Sequence, residues 1–178
     1  YFRSKNTDIY PDLEFNSLNR FTYELTLAVE PTEFIRINQS NFLQTIEPII
    51  NDLSPLFIGD FTQTEKRFGN IEMVPLDSQT FFETKTSNQS GSLSLNSYFE
   101  NKPISRSIFI SNTAHELVHL FSFAEFIKSQ TNPETSAQVM SALILAKAAQ
   151  TNPEYKRHFL AYILDLSQAY VIGLGTNN

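Results

Sequence analysis

The chain changes character near residue 112, and that change limits its architecture more than any other feature. Upstream lie short runs of alternating polarity separated by turn residues. Downstream no glycine occurs until Gly173, and apolar residues recur at helical spacing throughout. The segment Gln130-Thr131-Asn132-Pro133-Glu134 returns as Gln150-Thr151-Asn152-Pro153-Glu154. Asparagine at the cap, proline at the first helical position and an acid beside it mark a helix start. The pattern therefore predicts three helices, at about 113–130, 133–150 and 153–172, joined by tight corners.

The upstream part reads as mainly β. Residues 1–20 form a polar lead-in, and 21–30 alternate as a strand rich in aromatic and β-branched residues. Phe42, Ile46, Ile49, Ile50, Leu53 and Phe57 recur as the buried face of a helix within 40–57, with Pro48 an obstacle in its middle. A short strand follows at 71–76, then a mobile loop over 77–92, an edge strand at 93–99 and a last strand at 106–111. Asn112 or Thr113 would cap the first of the three helices.

That helix carries His115-Glu116-Leu117-Val118-His119. Residues four apart lie one above the other on a helix, so both imidazoles can converge on one metal ion. Glu116 sits beside them, placed to take a proton from a water on the metal. With three His and thirteen Glu in the chain, the pattern arises by chance about 0.004 times, so its context decides. Ala114, Leu117, Leu120, Phe121, Ala124 and Ile127 cover one broad apolar face, opposite a seam of His115, His119, Ser122 and Glu125. Val118, Phe123 and Phe126 flank that seam. A helix apolar on most sides is buried, and buried histidines need partners, metallic or otherwise. The competing reading is a core helix whose histidines bond to neighbouring carbonyls or carboxylates.

Composition removes several function classes. A formal charge of −6, with no basic cluster larger than Lys66-Arg67 or Lys156-Arg157, argues against nucleic acid as a partner. Asp165, Ser167 and Gln168 interrupt the last apolar helix, so no membrane span is expected. The absence of cysteine excludes disulfides and thiolate ligands. The chain opens on Tyr1 without Met or a signal segment, which suggests a trimmed protein. The sequence does not fix the compartment, and a secreted or extracytoplasmic location is slightly favoured over a cytoplasmic one.

The HELVH motif at 115–119, and the order strand, helix, strand, edge strand, strand, motif helix over 21–130, resemble the zincin superfamily of metallopeptidases. The resemblance implies an α+β, zincin-like fold: a small mixed sheet with a backing helix, then the active-site helix and a helical C-terminal part. It implies one domain over 1–178, with a mainly β lobe at 1–112 and a helical lobe at 113–178 carrying the metal. It also implies Zn2+ as cofactor, a peptide or protein substrate lying along 93–99, His115 and His119 as zinc ligands, and Glu116 as general base.

Zincins need a third protein ligand, and three residues compete for that role. Glu125 has the metzincin spacing, but Ser122 stands where that pattern has glycine, and Glu125 points away on an unbroken helix. Glu134 opens a segment similar to the ligand helix of gluzincins, with Gln138 in place of an acid. It reaches the metal only if the motif helix ends soon after Phe121, since otherwise it lies roughly 20 Å away. Glu154 is preferred, with Glu134 the alternative, because two helices up and back return the chain to the level where the motif helix begins. His158, one turn beyond Glu154, would then steady the oxyanion, a task Tyr155 or Tyr162 could share. Two rivals remain: a zincin-fold binding domain without turnover, and a helical interaction domain whose HExxH is coincidental.

Overall fold

The computed structural model describes residues 33–57, 68–77, 80–86, 91–121 and 133–176. In chain order these form β1 (Phe34–Arg36), α1 (Phe42–Leu53), a 3-10 turn (Ser54–Leu56), β2 (Phe68–Val74), β3 (Phe82–Thr86) and β4 (Gly91–Asn96). A second 3-10 turn (Ser97–Phe99), β5 (Pro103–Ser105), α2 (Arg106–Leu120), α3 (Pro133–Thr151) and α4 (Glu154–Thr176) complete them. The architecture is α+β. The lead-in and the strand expected over 1–30 lie outside the described residues, as do 122–130.

α1 follows its apolar spacing. Phe42, Ile46, Ile49, Ile50 and Leu53 are buried, and Pro48 stays within the helix on its exposed side. Proline there removes one backbone donor, a loss the buried stripe tolerates without a break.

Two sheets stand against the helices. β1 pairs antiparallel with β5, placing Phe34 opposite Ser105. The larger sheet has the order β2-β4-β3, with β4 parallel to β2 and antiparallel to β3. This corrects two expectations. The segment expected as an edge strand at 93–99 is the central strand β4, and the segment expected as a loop over 77–92 contains β3, which lies at one edge. β4 misled because its polar residues are inside: Ser94 and Asn96 are buried with Leu93 and Leu95. A central strand covered on both faces loses the alternation that marks a half-buried one.

The strand expected at 106–111 is the start of α2, which runs unbroken from Arg106 through the HELVH motif. Ile108, Phe109 and Ile110 favour strands, but a short apolar run cannot be told from a buried helix by periodicity alone. Its cap is Ser105, whose Oγ accepts from the Ile108 amide at 3.4 Å. Asn112 and Thr113 do not cap. The Asn112 side-chain amide donates to the Ile108 carbonyl and the Thr113 hydroxyl to the Phe109 carbonyl, so both back-bond within the helix. The change of character near residue 112 thus falls inside one helix.

α3 and α4 begin at the repeated Asn-Pro-Glu signals, close to their expected bounds. Phe82 of β3 lies between Phe42 of α1 and Phe109 of α2, at ring distances of 6.5 and 5.5 Å, and fastens sheet to helices. Leu117, Val118, Ala137, Leu145 and Ala148 continue that core between α2 and α3. Among the described residues no helix is long and apolar enough to cross a membrane.

Candidate metal centre

His115 and His119 project from the last turns of α2, one turn apart, as the motif requires. Their Nε2 atoms lie 3.1 Å from each other. Glu134, in the first turn of α3, faces both: Oε2 is 3.2 Å from His115 Nε2 and Oε1 is 3.6 Å from His119 Nε2. The three side chains form a group that could hold a metal ion. His115 and His119 are 16% and 24% exposed and Glu134 68%, so the rings are fixed by packing while the carboxylate closes the site from the solvent side.

Helix ends favour this arrangement. The C-terminal end of α2 carries partial negative charge that suits a cation, and the N-terminal end of α3 suits the Glu134 carboxylate. Glu134 reaches the histidines because α2 stops at Leu120, with Phe121 as its C-cap. The condition the sequence set for this residue is the one the helix meets.

Glu116 projects beside the pair. Its Oε2 accepts a 2.6 Å hydrogen bond from the Thr84 hydroxyl on β3. Strand β3 therefore reaches the motif from the sheet side, where sequence reasoning saw only a polar loop. The signal that would have revealed it is the pair Phe82 and Thr84, two apart and so on one face of a strand.

Glu154, expected to be the third ligand, lies elsewhere. Its Oε1 pairs with Arg106 at 2.7 Å, at the other end of α2. His158 keeps it company: the Ser107 hydroxyl is 2.9 Å from His158 Nδ1, and Glu154 Oε1 is 3.9 Å from its Nε2. Ser107 and His115 are eight positions apart on one helix, about 12 Å along its axis. The two helices do return α4 to the level where α2 begins. That beginning is Arg106, two turns earlier than the sequence suggested, so Glu154 and His158 land beside the wrong end.

His158 is 1% exposed and its Nε2 has no hydrogen-bond partner among the described residues. Burial pushes its pKa down to about 4, with Arg157 adding to the effect and Glu154 opposing it. The ring is neutral near pH 7. It lines a cavity of about 250 Å³ with Arg106, Phe109, Glu154 and Tyr155, and no residue of the HELVH motif reaches that cavity. Tyr155 donates to Asp52 at 3.0 Å, while Tyr162 donates to the Gln138 carbonyl, one turn beyond Glu134. Burial and the Asp52 carboxylate hold the Tyr155 phenol well above its ordinary range. Glu125 lies outside the described residues.

No family model, curated protein or solved structure matches this chain.

Proposed function

We propose that this chain is a zinc-dependent metallopeptidase, similar to gluzincins in taking its third ligand from a second helix. The observation that carries the reading is the convergence of two imidazoles and one carboxylate on one point. A tetrahedral zinc with bonds of about 2.0–2.2 Å has ligand-to-ligand edges of about 3.3–3.6 Å. The two imidazole nitrogens are 3.1 Å apart, just inside such an edge, and the Glu134 carboxylate turns one oxygen to each of them, Oε2 at 3.2 Å from His115 and Oε1 at 3.6 Å from His119. Two imidazoles and one carboxylate leave a fourth corner open, the pattern of catalytic rather than structural zinc.

A zinc ion held there would polarise a scissile carbonyl and make the proton of an attacking water easier to remove. Glu116, one residue from His115 and held at Oε2 by the Thr84 hydroxyl, would take that proton on Oε1. It then returns the proton to the departing amine. His115, His119 and Glu134 would hold the ion, and β3, at one edge of its sheet, runs beside the motif helix where an extended peptide would lie.

The test uses zinc-loaded protein and a pool of quenched fluorescent peptides. Wild type should cleave members of the pool. Glu116→Gln should hold one zinc per chain while cleavage falls by about 10²–10⁴-fold, the usual contribution of a general base. Wild-type rates in that variant would falsify the proposal. Stoichiometric zinc without any wild-type cleavage would point instead to a binding domain of the same architecture.

A further inference from the structure

We infer that Thr84 is a positioning residue for Glu116, an inference that rests on the peptidase reading. Thr84 sits at the middle of β3, opposite Leu93 of β4. Side chains two apart on a strand share a face. Phe82 packs its ring on Phe109 of α2, so Thr84 is turned to the same helix and meets it at Glu116, two turns beyond Phe109. Glu83, between them, is turned away and pairs with the exposed Lys85. The sheet thus delivers one hydroxyl to one carboxylate oxygen at 2.6 Å.

The direction of that bond is fixed by chemistry. A carboxylate only accepts, so the threonine hydroxyl donates. Hydroxyl-to-carboxylate bonds of this length are among the stronger ones in proteins. Oε2 is occupied by Thr84, which leaves Oε1 as the oxygen that takes up the proton of the attacking water. The carboxylate is also fixed about its terminal torsion, which is otherwise broad. A general base must hold its acceptor within hydrogen-bond reach of the proton it removes. Thr84 is not one of the three residues grouped to hold an ion, and its hydroxyl is engaged by Glu116. It acts through Glu116.

The experiment compares Thr84→Val, Thr84→Ser and Thr84→Val in a Glu116→Gln background. The probe is one quenched fluorescent peptide selected from a random pool on zinc-loaded wild type. Valine matches threonine in shape and suits a strand, so the fold and zinc content should be kept. Loss of such a supporting bond typically lowers activity about 10–100-fold. That loss is expected in kcat, with KM changed less than about 3-fold, because the bond orients a base rather than binding substrate. Serine restores the hydroxyl and should recover most of kcat, and Thr84→Val should add nothing once Glu116 is glutamine. An unchanged kcat in Thr84→Val overturns the inference and leaves the peptidase reading intact. Loss of zinc from Thr84→Val, or no rescue by serine, also overturns it, in favour of a structural role. A zinc-loaded wild type that cleaves nothing overturns the peptidase reading, and this inference falls with it.

Discussion

The three histidines of the chain occupy two different electrostatic settings. His115 and His119 face a carboxylate at a helix end, whereas His158 is enclosed near Arg106 and Arg157, with its ordinary pKa of 6.5 depressed to about 4. In the unfolded chain His158 binds a proton below about pH 6.5, and in the folded chain only below about 4. Between those values the unfolded state holds more protons, so the contribution of His158 is complete above pH 6.5 and is lost as pH falls toward 4. The full loss is on the order of 3 kcal/mol. Urea midpoints of wild type should therefore fall between pH 6.5 and 4 more steeply than those of His158→Gln, which has nothing to titrate. Parallel declines in the two proteins would show that the buried ring is not what resists protonation. The HELVH residues were legible in the sequence because their spacing is itself the geometry. Glu134 was legible only conditionally, because its reach depends on where α2 ends, and helix ends are set by packing as much as by local composition. Thr84 was not legible, since its partner lies 32 positions away across the fold.

At the scale of elements, the junctions around β4 depend on one side chain. Asn96 is 0% exposed and uses its whole amide. Oδ1 accepts from the Leu76 and Tyr98 backbone amides, and Nδ2 donates to the carbonyls of Asp77 and Thr80. It ties the exit of β2, the entry to β3 and the turn after β4 into one knot. Asn96→Ala would strand two donors and two acceptors, and a buried group left unpaired costs about 1–3 kcal/mol. We expect a loss of about 3–5 kcal/mol in urea unfolding, allowing for water reaching some of the freed groups. A loss below about 1 kcal/mol would mean that these turns hold without the knot. The same element explains why the sheet was only partly readable. Helices α1, α3 and α4 announced themselves through apolar spacing or through Asn-Pro-Glu starts, signals that are local. Strand order and the centrality of β4 depend on partners distant in sequence, and its buried serine and asparagine resemble loop residues until those partners are known. The start of α2 failed for a related reason: a helix buried nearly all round has no polar stripe to separate it from a strand.

At the scale of the whole molecule, α2 packs against α1, β3, β5, α3 and α4 among the described elements, and its two ends meet different partners. At its N-terminal end Arg106 and Ser107 meet α4 through Glu154 and His158. At its C-terminal end His115 and His119 meet α3 through Glu134. A metal ion at the second junction would join α2 to α3 as a cross-link present only in the folded chain, so binding adds directly to stability. The gain at an ion concentration 100 times Kd is about 2.7 kcal/mol. For a domain of this size 1 kcal/mol corresponds to about 2–4 °C, so zinc should raise Tm by about 5–11 °C and a chelator should reverse the shift. Two substitutions separate the junctions. Glu134→Gln replaces the charged group proposed as the third ligand by a weak one and should move the zinc titration to concentrations at least about tenfold higher. Glu154→Gln disturbs the far end, its half-exposed ion pair with Arg106 and its contact with His158, and should leave the zinc-induced shift as it is in wild type. Calorimetric scans of the three proteins over a zinc series provide the comparison. A shift abolished by Glu154→Gln but kept by Glu134→Gln would move the ion to the α4 junction, and with it the reading of which end of α2 carries the chemistry.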